Sequence, residues 1–187
     1  MINNKAELKE YLKAETGDFH PKAMLRIPFD LYEQQVIHKY LRILRITEYH
    51  INKNHKFRKW YYVFRLKRKQ LRYGVHIPPN CFGKGLSIAH TGGILVNGDC
   101  RVGEYCRIHS GVKLVAGANG VPCIGNHVYF GVGSCVIGNV KIADGCTIGA
   151  NAVVCKSFEH QGAVLVGVPA KESKIKECTW DGKTHED

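Results

Sequence analysis

The first third of the chain places its apolar residues at helical spacing, and the remainder places them every six residues. From Lys5 to Lys13 and from Asp30 to about Asn52 the pattern predicts two amphipathic helices; in the second, Val36, Tyr40, Leu44 and Ile51 share one stripe with Ile37 and Leu41 beside it. Asp30, just after Pro28, is the expected N-cap, and Glu33 three residues on would complete a capping box. A third segment, HKFRKWYYVFRLKRKQLRYG, sets Phe57, Trp60 or Tyr61, Phe64 and Leu71 on one side and stops at Gly74, a natural C-cap because glycine tolerates positive φ.

From Val96 onward, aliphatic or aromatic residues fall at Val96, Val102, Ile108 and Leu114, then after a ten-residue step at Ile124, Phe130, Val136, Ile142, Ile148 and Val154. A second series four positions behind, Cys100, Cys106, Val112, Ala118, Val128, Ser134, Val140, Cys146, Ala152 and Phe158, is small almost throughout. Each six-residue unit then supplies a short strand and a turn, and stacking the units buries one aliphatic column and one column of small side chains. Gly and Asn recur beside the apolar positions, as in Ile124-Gly125-Asn126 and Ile137-Gly138-Asn139, where a tight corner needs small or left-handed residues. An α/β fold would require helices that this pattern lacks. The expected division is a helical region at 1–74, a β-solenoid at 75–170 and a polar tail at 171–187.

Composition changes this picture in three respects. The 187 residues, 44% hydrophobic, suit one buried domain with a small appendage. The opening MINNKAELKE is polar, and no later run approaches the ~18 apolar residues of a membrane span, so the protein is expected in the cytoplasm. Eight cysteines with no C-x-x-C pair read as small buried side chains and a few surface thiols, neither a disulfide scaffold nor a zinc site.

The net charge of +11 is localised: between Val36 and Tyr73 stand twelve Lys or Arg against one acid, Glu48, and the rest of the chain balances fifteen against fifteen. That stretch, interleaved with Trp60, Tyr61, Tyr62 and Phe64, reads either as a solvated helical face or as a segment (residues 36–73) that docks on an anionic membrane or polyanionic glycan, which would make the protein peripheral to the membrane. Nucleic acid is not expected, since no binding fold accompanies the charge.

The repeat [ILV]-G-x-x-[small]-x over Tyr73 to Lys171 resembles the hexapeptide acyltransferase family. Within it, the runs GKGLSIAHTGGILVN (Gly83 to Asn97), GNHVYFGVGSCVIGNVKIADGCTIGANAVV (Gly125 to Val154) and VGVPAK (Val166 to Lys171) are most similar to serine acetyltransferases and related O-acetyltransferases of polysaccharide biosynthesis. The resemblance implies an all-β left-handed parallel β-helix of three hexapeptides per coil, a homotrimer, and acetyl-CoA as co-substrate with no metal. It implies His90 as the general base, suited to that role by an imidazole pKa near ~6.5 and by the small neighbours Ala89, Thr91, Gly92 and Gly93. It also implies contacts to CoA from Gly117, Gly133, Ala150 and Lys171.

The departures from the family bear on the acceptor. Serine acetyltransferases carry an aspartate in the coil before the histidine; here Val75-His76-Ile77 puts His76 in its place, so His76, a backbone carbonyl or a neighbouring subunit would orient His90. Ala89 replaces an aspartate before the histidine, and the loop from Val115 to Cys123 is short and lacks the family's Arg-His pair. His109, one coil above His90, is a further acceptor-site candidate, whereas His127 falls on another face. The expected function is O-acetylation of a sugar hydroxyl in capsular or exopolysaccharide precursors. The alternative is serine O-acetylation, and a third reading is a non-catalytic trimeric binding module. The zinc-dependent carbonic anhydrases of the same scaffold need a histidine pair that the repeats do not contain.

Overall fold

The structure is a computed structural model and describes residues 1–16 and 32–173. Among the described residues three helices form the head: α1 (Lys5–Thr16), α2 (Glu33–Asn52) and α3 (Lys56–Tyr73). Asp30 lies outside the described residues, and α2 begins at Glu33 with Tyr32 as an N-cap that makes no side-chain bond. Glu33 therefore does not serve a capping box, and its carboxylate is turned elsewhere. At the far end of the head, Gly74 caps α3 at φ +62°, donating its N–H to Gln70, as the sequence predicts.

Beyond Gly74 the chain winds into a parallel solenoid with three sheets as its walls. The first holds β1 (Val75–His76), β3 (Ile94–Val96), β6 (Lys113–Val115), β9 (Cys135–Ile137) and β12 (Val153–Val154). The third holds β2 (Ser87–Ile88), β5 (Arg107–Ile108), β8 (Tyr129–Phe130), β11 (Thr147–Ile148), β13 (Val164–Val166) and β14 (Lys171–Ser173). Between them lie β4 (Arg101–Val102), β7 (Cys123–Ile124) and β10 (Lys141–Ile142). Strands of two or three residues suffice because those inside each sheet are paired in register above and below, as Ile108 is with Ile88 on one side and Phe130 on the other.

All ten members of the aliphatic column are buried, and so are nine of the ten small positions behind them. The exception is Ala118. The ten-residue step contains a small hairpin in which Gly117 and Gly120 pair antiparallel, and Ala118 rides on it into solvent. Where the middle sheet turns into the third, Gly83, Gly103 and Gly125 stand one above another. A Cβ on Gly83 would lie 2.8 Å from the Gly103 carbonyl carbon, and one on Gly103 would lie 2.6 Å from that of Gly125, so this corner admits no side chain.

One continuous apolar core runs from Ile37 in α2 to Ala170 at the end of the solenoid, so the boundary at Gly74 separates two kinds of secondary structure within a shared interior. The joint is reinforced by Arg45, which is fully buried. Its guanidinium bonds Glu15 of α1 and Glu48 of α2, and also the carbonyls of Phe82 (3.0 Å) and Gly83 (2.7 Å) in the first coil. Glu48 in turn accepts from the Asn80 amide at 2.8 Å. A buried guanidinium is costly unless every donor is used, and here the partners come from both sides of the joint. Arg45 is thus not part of the positive surface that the sequence suggests. At the other end the polar segment begins as β14, antiparallel to β13, and residues 174–187 lie outside the described set.

Candidate active site

His90 sits on the corner between the third and first sheets of the first coil. Ala89, the last residue held by the ladder, donates its N–H to Ile108 and is buried. The chain then turns through His90, Thr91, Gly92 and Gly93 before β3. Gly92 and Gly93 have φ of +92° and +67°, and a Cβ on Gly93 would meet the Gly111 backbone at 3.3 Å, so glycine lets the turn close against the coil above. This leaves the imidazole of His90 exposed.

The group that orients His90 comes from the head. Glu33, the first residue of α2, accepts from the Thr91 amide at 2.7 Å and the Thr91 hydroxyl at 2.8 Å through Oε1, while Oε2 lies 3.0 Å from His90 Nδ1. The Thr91 amide first, and His90 second, hold the Glu33 carboxyl below its ordinary pKa. An ionised carboxylate can only accept, so Nδ1 carries a proton toward Glu33, and in the neutral ring Nε2 is the acceptor. His76, proposed for this role from sequence, is half-buried on β1 beside Leu95, and Glu33 holds the position instead. Nothing local in the sequence marks the pairing, because the two residues are fifty-seven positions apart.

His109 stands one layer above, its ring centroid 6.2 Å from that of His90. Its Nε2 lies 2.8 Å from the Tyr129 hydroxyl, and burial, then Arg107 and His90, push its pKa down, so it is neutral near pH 7. His127 is on a different corner, stacked on Tyr105 at 5.4 Å. Of the residues expected to touch CoA, Gly133 and Ala150 lie on the His90 corner in successive layers, and Lys171 starts β14 opposite Val166 at the top of that corner. Gly117 is separate: it lies across the first sheet, in the hairpin.

Beside Glu33 and Thr91 opens a cleft of about 340 Å³ lined also by Val36, Arg72 and Tyr73. It carries a carboxylate and a guanidinium, both from the head. Burial pushes the Cys81 and Cys106 thiols up to about 12, which keeps them protonated and unreactive at neutral pH. Among the described residues no group of three or more His, Cys, Asp or Glu is arranged to hold a metal ion, and no helix is long and apolar enough to cross a membrane.

No family model matches the chain. Among curated proteins it is similar to the serine acetyltransferases of Synechococcus elongatus (34% identical over 109 residues, 54% of this chain and 43% of that protein) and Mycobacterium tuberculosis (37% over 103 residues, 52% and 44%). It spans less than half the length of those two relatives. Against the serine acetyltransferase of Helicobacter pylori it is 34% identical over 123 residues, which is 61% of this chain and 70% of that protein. Among solved structures, the serine acetyltransferase from Brucella abortus strain S19 superposes with a TM-score of 0.74 at 24% identity, covering 94% of this chain and 72% of that one. A serine acetyltransferase in complex with CoA superposes with a TM-score of 0.71 at 23% identity, covering 90% and 71%. These likenesses extend the fold match through the head and identify the solenoid as the left-handed β-helix. From the repeat, the fold and the shared sequence, the chain belongs to the serine acetyltransferase family of hexapeptide-repeat acyltransferases.

Proposed function

We propose that this protein transfers the acetyl group of acetyl-CoA to a hydroxyl oxygen, with His90 as general base. The observation that carries this reading is the Glu33–His90 pair, which fixes the tautomer such a base needs. Acetyl-CoA supplies an activated acetyl group as a thioester. His90 Nε2 takes the acceptor's proton as the oxygen bonds to the acetyl carbonyl carbon. When the carbon–sulfur bond breaks, Nε2 returns that proton to the departing sulfur, leaving an O-acetyl ester and a free thiol. Glu33 stabilises the imidazolium in between. The small residues Gly133 and Ala150 keep the corner above His90 open, and Lys171, five strands up the third sheet and so about 24 Å higher at ~4.8 Å per layer, offers a cation to a phosphate.

For the acceptor, L-serine is the first reading. The relatives matched by sequence are serine acetyltransferases, and nothing in the comparisons favours the sugar expected from sequence. The cleft beside Glu33 and Thr91 also supplies, through Arg72, a cation for an amino acid's carboxylate. A sugar hydroxyl is retained as the second reading because Ala89 and the hairpin loop bring no charged anchor of their own. His109 and Tyr129 are placed to contact either acceptor. We propose a homotrimer acting in the cytoplasm, where acetyl-CoA is available. Thiol release from acetyl-CoA, measured with L-serine against a panel of nucleotide-linked and lipid-linked sugars, separates the two. Serine should react with kcat/KM on the order of 10⁴ M⁻¹s⁻¹ or higher, and His90→Ala should lower turnover ~10²-fold or more without loss of folding. Turnover with sugars alone would establish the second reading, and failure to bind acetyl-CoA would leave a non-catalytic binding module.

A further inference from the structure

Helix α3 packs against the molecule with one side only. Its buried residues are Leu66 and Gln70, whereas Phe57, Trp60, Phe64 and Leu71 are 90%, 71%, 60% and 85% exposed. At 3.6 residues per turn these four fall within about 60° of one another, a continuous apolar stripe turned away from the core. Lys56 and Lys67 flank one edge of the stripe and Arg65 and Arg68 the other, all four exposed. The helix contains no acidic residue. A face of this kind, apolar at its centre and cationic at both borders, has the build of a helix that lies in a membrane interface, not one that crosses it.

We infer that α3 docks on an anionic lipid surface. The aromatic and leucyl side chains enter the boundary between headgroups and acyl chains, and the lysines and arginines reach back to lipid phosphates. Charge complementarity selects this occupant over a second copy of the chain. Two α3 faces brought together would set cation against cation, and outside Val36 to Tyr73 the sequence balances fifteen basic against fifteen acidic residues, so it offers no compensating surplus of acid. This inference goes beyond the transferase reading and does not depend on it.

The test is co-sedimentation of the full chain with vesicles of phosphatidylcholine alone and of phosphatidylcholine containing roughly a third phosphatidylglycerol. Binding to the anionic vesicles should be ~10-fold stronger or more, and should fall at about 0.5 M salt. Lys67→Glu with Arg68→Glu should abolish the preference, and Trp60→Ser with Phe64→Ser should weaken binding without lowering Tm, since neither ring is in the core. Equal or absent binding to the two vesicle types overturns the inference. So does a result in which the Trp60 and Phe64 substitutions change the oligomer's mass by light scattering and leave lipid binding alone, because the stripe would then be an interface between copies.

Discussion

At the scale of single residues, the proposed general base and the carboxylate that bonds it differ in how far sequence alone could find them. His90 is legible because its surroundings are: the run Ile88-Ala89-His90-Thr91-Gly92-Gly93 places an imidazole on a turn where small residues leave it bare. Glu33 is not legible, since the first turn of a helix commonly carries an acid, and only the docked head shows its carboxylate divided between Thr91 and His90. Because Glu33 acts through His90, its loss should register in kcat more than in binding. Glu33→Gln keeps the size and can still accept from Thr91 but removes the charge that stabilises an imidazolium; kcat should fall by ~10-fold or more, with KM for acetyl-CoA unchanged. Glu33→Asp should recover part of the loss. Equal kcat for wild type and Glu33→Gln in steady-state assays would reduce the contact to a structural one.

Among the elements, the solenoid was readable almost to the residue and the helices only in outline. Six-residue periodicity places every member of the aliphatic column inside, because one strand and one corner per repeat leave little choice of register. The hairpin at Gly117 escaped it, since an insertion breaks the period without saying where its residues go. Phe130 shows what the column contributes: it is fully buried between the layers of Ile108 and Ile148, and Phe130→Ala should cost about 3–5 kcal/mol of stability in denaturant titrations.

In the head, the turn from α2 to α3 holds a pair invisible to periodicity, His50 and His55, whose Nδ1 atoms lie 2.7 Å apart. One must donate and the other accept. Burial, followed by His55 and Arg58, pushes the His50 pKa down, so the folded state prefers it neutral. The unfolded chain takes up that proton first as pH falls below about 6.5, and stability present above that pH is lost on acidification. Calorimetry should show Tm falling between pH 7.5 and 5.5, and a smaller fall in His50→Asn.

For the molecule as a whole, composition revealed a surplus of positive charge but not its disposition. Arg45 and Glu48, counted together with the basic stretch, are withdrawn into the joint with Glu15, and the cations that remain outside lie chiefly along α3. No local rule could have sorted them, because the sorting depends on Glu15 and on two carbonyls of the first coil. That joint bears on how the chain can change over time. The imidazole of His90 belongs to a coil built by simple repetition, yet the carboxylate that bonds it is borne by a helix of unrelated design. A repeat unit could be gained or lost at the far end of the coil without disturbing this pair. A slip of a single residue where α2 meets the coil would part Glu33 from His90 and Arg45 from the carbonyls of Phe82 and Gly83 together, so the site and the joint are tied to one register.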